Sequence, residues 1–147
     1  ASSGETEIEC ASFVSGDGFE NRGILIAKTA IDESERLLYH KTDYRPWYRE
    51  AMGAIGRGEC FDVVFVNSGG FVTEGARSNI FAKLSGRLYT PPVRSGLLPG
   101  VLRGNLLRRG VCEEREITLE DLRKAEAMYC GNSVRGLVGV GLLPGYA

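Results

Sequence analysis

The most constraining feature of the sequence is the turn Asn67-Ser68-Gly69-Gly70, set between the apolar run 61–66 and Phe71-Val72-Thr73. β-branched and aromatic residues on both sides, with Asn and Gly between, specify an antiparallel hairpin. Ser85-Gly86 repeats the pattern between residues 79–84 and 87–90, and Pro91-Pro92 closes that block. Two hairpins in the middle third commit the chain to a sheet that its other elements must cover.

Those elements read as follows. Residues 24–27 and the run Leu37-Leu38-Tyr39 are short strand candidates. Pro46 suits the first turn of a helix running to about Ile55, ended by Gly56 or Gly58. A second helix follows Pro99-Gly100, carries Val101, Leu102, Leu106 and Leu107, and stops at Gly110. Residues 111–117 have strand character, and Thr118 with Asp121 forms a capping-box pattern for a helix over 119–125. Residues 127–130 and 137–140 are the last strand candidates. The expected fold class is α+β: a mixed, mostly antiparallel sheet, curled toward a pseudo-barrel, with flanking helices. Residues 1–22, rich in Ser, Gly and Glu, read as a tail or linker remnant, and 23–147 as one domain.

Composition excludes several classes of function. A net charge of −1 offers no basic surface for nucleic acid or an anionic membrane. No apolar run is long enough for a membrane helix. Cys10, Cys60, Cys112 and Cys130 are widely spaced and His40 is the only histidine, so no metal site is expected. Free thiols suit a reducing cytoplasm.

Three glycine-bearing loops follow strand candidates: 73–79, 95–103 and 130–136. Glycine lets the main chain approach a ligand, and N–H groups at a helix start favour an anion such as phosphate. Glycine loops also simply turn. Lys41 ends the run Leu37-Leu38-Tyr39, so its stem should lie at the core's edge. A lysine there sheds solvation and offers a neutral amine to a carbonyl, or else snorkels to water. His40, its neighbour, would point to the opposite face of a strand.

The segments His40-Lys41-Thr42-Asp43-Tyr44-Arg45, Val72-Thr73-Glu74-Gly75-Ala76-Arg77-Ser78-Asn79-Ile80-Phe81, Gly96-Leu97-Leu98-Pro99-Gly100-Val101-Leu102-Arg103 and Asn132-Ser133-Val134-Arg135-Gly136 occur in that order. Together they resemble the class IV (fold-type IV) pyridoxal-phosphate enzymes, which include branched-chain and D-amino acid aminotransferases and aminodeoxychorismate lyase. The wording is most similar to the lyase-like proteins. The resemblance spans residues 24–140.

By that resemblance the chain is the cofactor-binding large domain of a pyridoxal 5'-phosphate enzyme. It implies that Lys41 holds the cofactor covalently and moves the substrate's α-proton. It implies that Glu74 faces the pyridine nitrogen and Leu98 one face of the ring. Gly100, Val101 and Leu102 would bind the phosphate through backbone N–H groups, with Asn132 and Ser133 adding contacts. Arg45 would touch the cofactor, while Tyr48 and Arg135 would meet the substrate; an ion pair at the surface is the other reading of Arg135. Arg77, Asn79 and Arg103 would be structural. The implied reaction is elimination of pyruvate from 4-amino-4-deoxychorismate to give 4-aminobenzoate, a step toward folate, or else transamination of a small amino acid. A homodimer is the implied assembly. The family's further N-terminal domain is expected to be missing from this chain, which leaves a non-catalytic cofactor-binding or assembly role as the third reading.

Overall fold

The computed structural model describes residues 22–146, so the expected tail lies almost wholly outside the described residues. Among the described residues eight strands form one mixed sheet: β1 (Gly23–Ile26), β2 (Asp62–Val66), β3 (Val72–Gly75), β4 (Asn79–Leu84), β5 (Arg87–Thr90), β6 (Glu113–Glu114), β7 (Ala127–Asn132) and β8 (Gly136–Tyr146). Their order is β3-β2-β1-β8-β7-β4-β5-β6. Four pairings are antiparallel (β2–β3, β4–β5, β4–β7, β7–β8) and three are parallel (β1–β2, β1–β8, β5–β6). Among the described residues the α-helices are α1 (Arg49–Gly56), α2 (Val101–Arg108) and α3 (Leu119–Lys124).

Side-chain alternation divides the core between the two faces of this sheet. Ile24, Val64, Ile80, Ala82, Cys130 and Val138 share one face with Ile117 and Leu122, which brings α3 against it. Val63 and Phe65 point the other way, into a cluster with Ala51 and Ala54 of α1. Phe81 also points that way and packs with Leu106 of α2. Thus α1 and α2 cover different parts of one face.

Both hairpins form where the sequence places them. Asn67 Oδ1 accepts the N–H groups of Gly69 and Phe71, and Gly70 takes a positive φ of 80°. Ser85 and Gly86 both have positive φ, the mirror-image turn whose twist matches a two-residue hairpin. Thr118 Oγ1 accepts from the Asp121 N–H and Asp121 returns to the Thr118 N–H, completing the capping box.

Three expectations need correction. Residues 36–39 are a 3₁₀ turn rather than a strand: Glu35 caps the Leu37 N–H and the Tyr39 hydroxyl donates to the Glu33 carbonyl, which curls the run. Pro46–Tyr48 is likewise a 3₁₀ turn that leads into α1. Of residues 111–117, only Glu113 and Glu114 pair as a strand, because four charged side chains in succession (Glu113 to Glu116) leave nothing apolar to bury on either face. At the other extreme β8 runs on to Tyr146.

Candidate active site

A cleft of about 800 Å³ opens beside α1 and α2. It is walled by the segment after residues 36–39, the β3–β4 turn, the loop entering α2 and the β7–β8 turn. All four quoted sequence segments therefore meet around one space, although Lys41 and Arg135 lie 94 residues apart (135 − 41 = 94).

Glu74, on β3, is the centre of its polar network. Its side chain is 4% exposed. Oε1 accepts from the Tyr48 hydroxyl (2.7 Å) and from Arg45 Nη2 (3.0 Å), and Oε2 accepts from the Leu98 N–H (3.1 Å). Burial outweighs these contacts and pushes the carboxyl up to about 7. Burial, and then the nearby Glu74 charge, raise the Tyr48 phenol. Arg45 also lies over the Tyr48 ring, 4.4 Å from its centroid, with its Nε buried and lacking a hydrogen-bond partner.

The loop entering α2 is fixed from below. Asn79 Nδ2 donates to the Leu98 carbonyl at 2.9 Å. A Cβ on Gly100 would stand 2.3 Å from Asn79 Oδ1, so only glycine lets the loop lie this close. Gly100 is the residue before the first turn of α2 and supplies no side-chain cap, which leaves the first N–H groups without an intrahelical acceptor at the cleft. At the β7–β8 turn Asn132 Oδ1 accepts from the Val134 and Arg135 N–H groups.

The structure brings Lys41, Arg45, Tyr48, Glu74, Leu98, Gly100, Val101, Asn132, Ser133 and Arg135 to the cleft wall. Leu102 is the exception, since its side chain packs with Phe81 and Leu106 and only its backbone belongs to the first turn. Arg45 and Tyr48 reach Glu74, a contact that spacing from Lys41 does not reveal. Lys41 is exposed on the wall. Its expected desolvation is not provided by the described residues, because the preceding turn buries Leu38 alone and releases the chain outward at His40.

The sequence profile described as amino-transferase class IV matches residues 10–143. The chain belongs to the class IV aminotransferases.

Its curated relatives in this family carry two kinds of name. A candidate aminodeoxychorismate lyase of Schizosaccharomyces pombe is 32% identical over 117 residues, which is 76% of this chain and 51% of that protein. A candidate branched-chain-amino-acid aminotransferase of Thermotoga maritima is 33% identical over 87 residues, 56% of this chain and 32% of that protein. A solved candidate amino-acid aminotransferase from Mesorhizobium loti superposes with a TM-score of 0.77 at 39% identity, over 82% of this chain and 58% of that one. The class IV chain thus spans between a third and somewhat over half of the length of these relatives.

Several cleft residues of this class IV chain had no role in the sequence reading. Thr42 and Asp43 join the wall from the segment after residues 36–39, Arg49 and Met52 from α1, and Ser78 from the β3–β4 turn. Arg77 and Asn79, read as structural, line the cleft as well. Arg103 is structural: its buried guanidinium holds the Pro91 carbonyl and Glu114. Among the described residues no cluster of His, Cys, Asp and Glu could hold a metal.

Proposed function

We propose that residues 23–147 are the pyridoxal-phosphate-binding domain of an aminodeoxychorismate lyase-like enzyme. The observation that carries this reading is the meeting of Lys41, Glu74 and the start of α2 on one cleft. The cofactor's chemistry fits the donors present. A carboxylate has about four acceptor sites; Glu74 uses three of them, leaving one for the N–H of a protonated ring nitrogen. The uncapped first turn of α2 suits a phosphate, and Gly100 leaves room for it.

In this reading Lys41 Nζ holds the cofactor's aldehyde and carries the proton that leaves the substrate's α-carbon. Glu74 keeps the ring nitrogen protonated, and Arg45, Tyr48 and the Leu98 N–H keep Glu74 in place. Leu98 flanks the ring, while Val101, Leu102, Asn132 and Ser133 hold the phosphate. Arg135 receives a substrate carboxylate. When bound, pyridoxal phosphate supplies an electron sink for the charge released at the α-carbon. Elimination of pyruvate, leaving 4-aminobenzoate for folate synthesis, is the preferred outcome, because the candidate lyase relative aligns over a larger share of the chain than the branched-chain aminotransferase relative does. Transamination of a branched-chain or D-amino acid is the second reading, supported by the aminotransferase relatives. The protein acts as a homodimer in the cytoplasm, where the buried free thiols of Cys60, Cys112 and Cys130 remain reduced.

The test is the visible spectrum of purified protein with added pyridoxal phosphate, beside Lys41→Ala. A visible band that borohydride removes, and that the variant lacks, is expected. Matching spectra would sink the assignment of Lys41 and favour a non-catalytic role in assembly.

A further inference from the structure

Asp62, the first residue of β2, is fully buried and lies behind the cleft wall rather than on it. Its Oδ1 accepts from the Val63 N–H at 2.8 Å, and its Oδ2 accepts from Ser78 Oγ. A Cβ on Gly75 would collide with Asp62 Oδ2 and stand 2.9 Å from Ser78 Oγ, so the carboxylate sits directly beneath the β3–β4 turn. Burial pushes it up to about 6, while Ser78, the Val63 N–H and Arg77 pull the other way. A buried carboxylate is a poor device for stability alone, since apolar residues of similar volume often serve as well.

The turn above Asp62 reaches three parts of the cleft. Glu74 leads into it and holds Arg45, Tyr48 and the Leu98 N–H. Asn79 follows it and donates to the Leu98 carbonyl. Between them the Arg77 carbonyl accepts from Asn132 Nδ2 at 3.1 Å, which ties in the β7–β8 turn. The Gly75 N–H closes the turn on the Ser78 carbonyl at 2.7 Å, so a shift of Ser78 is passed to both of its ends.

We propose that Asp62 is a positioning residue for the cofactor: through Ser78 it sets the β3–β4 turn, and with it the places of Glu74 and Leu98. The inference rests on the proposed function, which gives those two residues a pyridine ring to face.

The test titrates full-length protein with pyridoxal phosphate, followed by its visible band, for Asp62→Asn, Ser78→Ala and the double variant. Each single variant should weaken cofactor uptake about tenfold, the size of one hydrogen bond to a charged group. The double variant should also lose about tenfold rather than about a hundredfold, because both changes break one link. The ring-nitrogen NMR signal of a labelled cofactor should move toward its unprotonated position in all three, a shift that lost stability alone does not cause. Native uptake in Ser78→Ala would overturn the proposal, and that variant decides by itself if Asp62→Asn fails to fold. Multiplied effects in the double variant would overturn it as well, since Asp62 would then act by another route. Thr118→Ala controls for lost stability, and equal weakening there would also overturn it. A band missing from the unmodified protein would sink the proposed function and this inference with it, whereas a normal band with native uptake in Ser78→Ala would sink this inference alone.

Discussion

Arg45 Nη2 lies 3.0 Å from Glu74 Oε1, the same oxygen that the Tyr48 hydroxyl reaches at 2.7 Å. One carboxylate oxygen therefore anchors the turn that follows Lys41 to β3. The other oxygen anchors the loop that enters α2. Glu74 is as much the keystone of the cleft's shape as a group within it.

Glu74→Ala should destabilise the fold by about 2 kcal/mol, because breaking a buried pair strands its cation. The figure stays below the fully buried case because the Arg45 side chain is 18% exposed. Urea unfolding measures it, and an unchanged midpoint would show that the network carries no stability.

Stability should fall as pH rises from about 4 to about 7. Glu74 and Asp62 are both buried and both raised, to about 7 and about 6, from 4.5 and 3.8. The folded state then holds more protons than the unfolded state across that window, so the contribution is full below the unfolded values and is lost through the folded ones. Unfolding midpoints across pH should show this slope, and Glu74→Gln should flatten its upper part. A slope of the opposite sign would refute the assignment.

Gly100→Ala should cost about 1–3 kcal/mol, the range for overpacking a filled site. The new methyl meets Asn79 Oδ1 and pushes apart the contact that holds the Leu98 carbonyl. Pyridoxal-phosphate uptake should weaken in parallel. Native uptake in a stable variant would show that the loop tolerates displacement.

Thr118→Ala removes the α3 cap and should cost about 1 kcal/mol. Because α3 packs on the sheet face opposite α1 and α2, cofactor uptake should stay as it is. Comparing thermal melts with the cofactor spectrum separates the two effects.

Local chemistry was the legible part of this chain. The Asn67–Gly70 and Ser85-Gly86 turns and the Thr118–Asp121 cap each depend on residues within a few positions, and each formed as read. Pairing between distant strands was not legible, since nothing near Gly23 announces that β1 lies parallel to both β2 and β8. The 3₁₀ turn at residues 36–39 was misread because its curling force comes from Glu33 and Glu35, outside the apolar run. Within the cleft, residue identities were legible through their resemblance to a family. The link from Arg45 and Tyr48 to Glu74 was not, because it closes over 29 and 26 residues.

The placement of β8 has a consequence for how the chain is made. Among the described strands, β8 alone pairs with both halves of the sheet, β1 on one side and β7 on the other. During synthesis β1 precedes β8 by more than a hundred residues, so it waits that long before its second neighbour exists (136 − 23 = 113). Until then it is an unsatisfied edge of the kind that invites aggregation. A nascent chain stalled before residue 136 would leave the ribosome with its central seam open, and such intermediates are natural clients for chaperones.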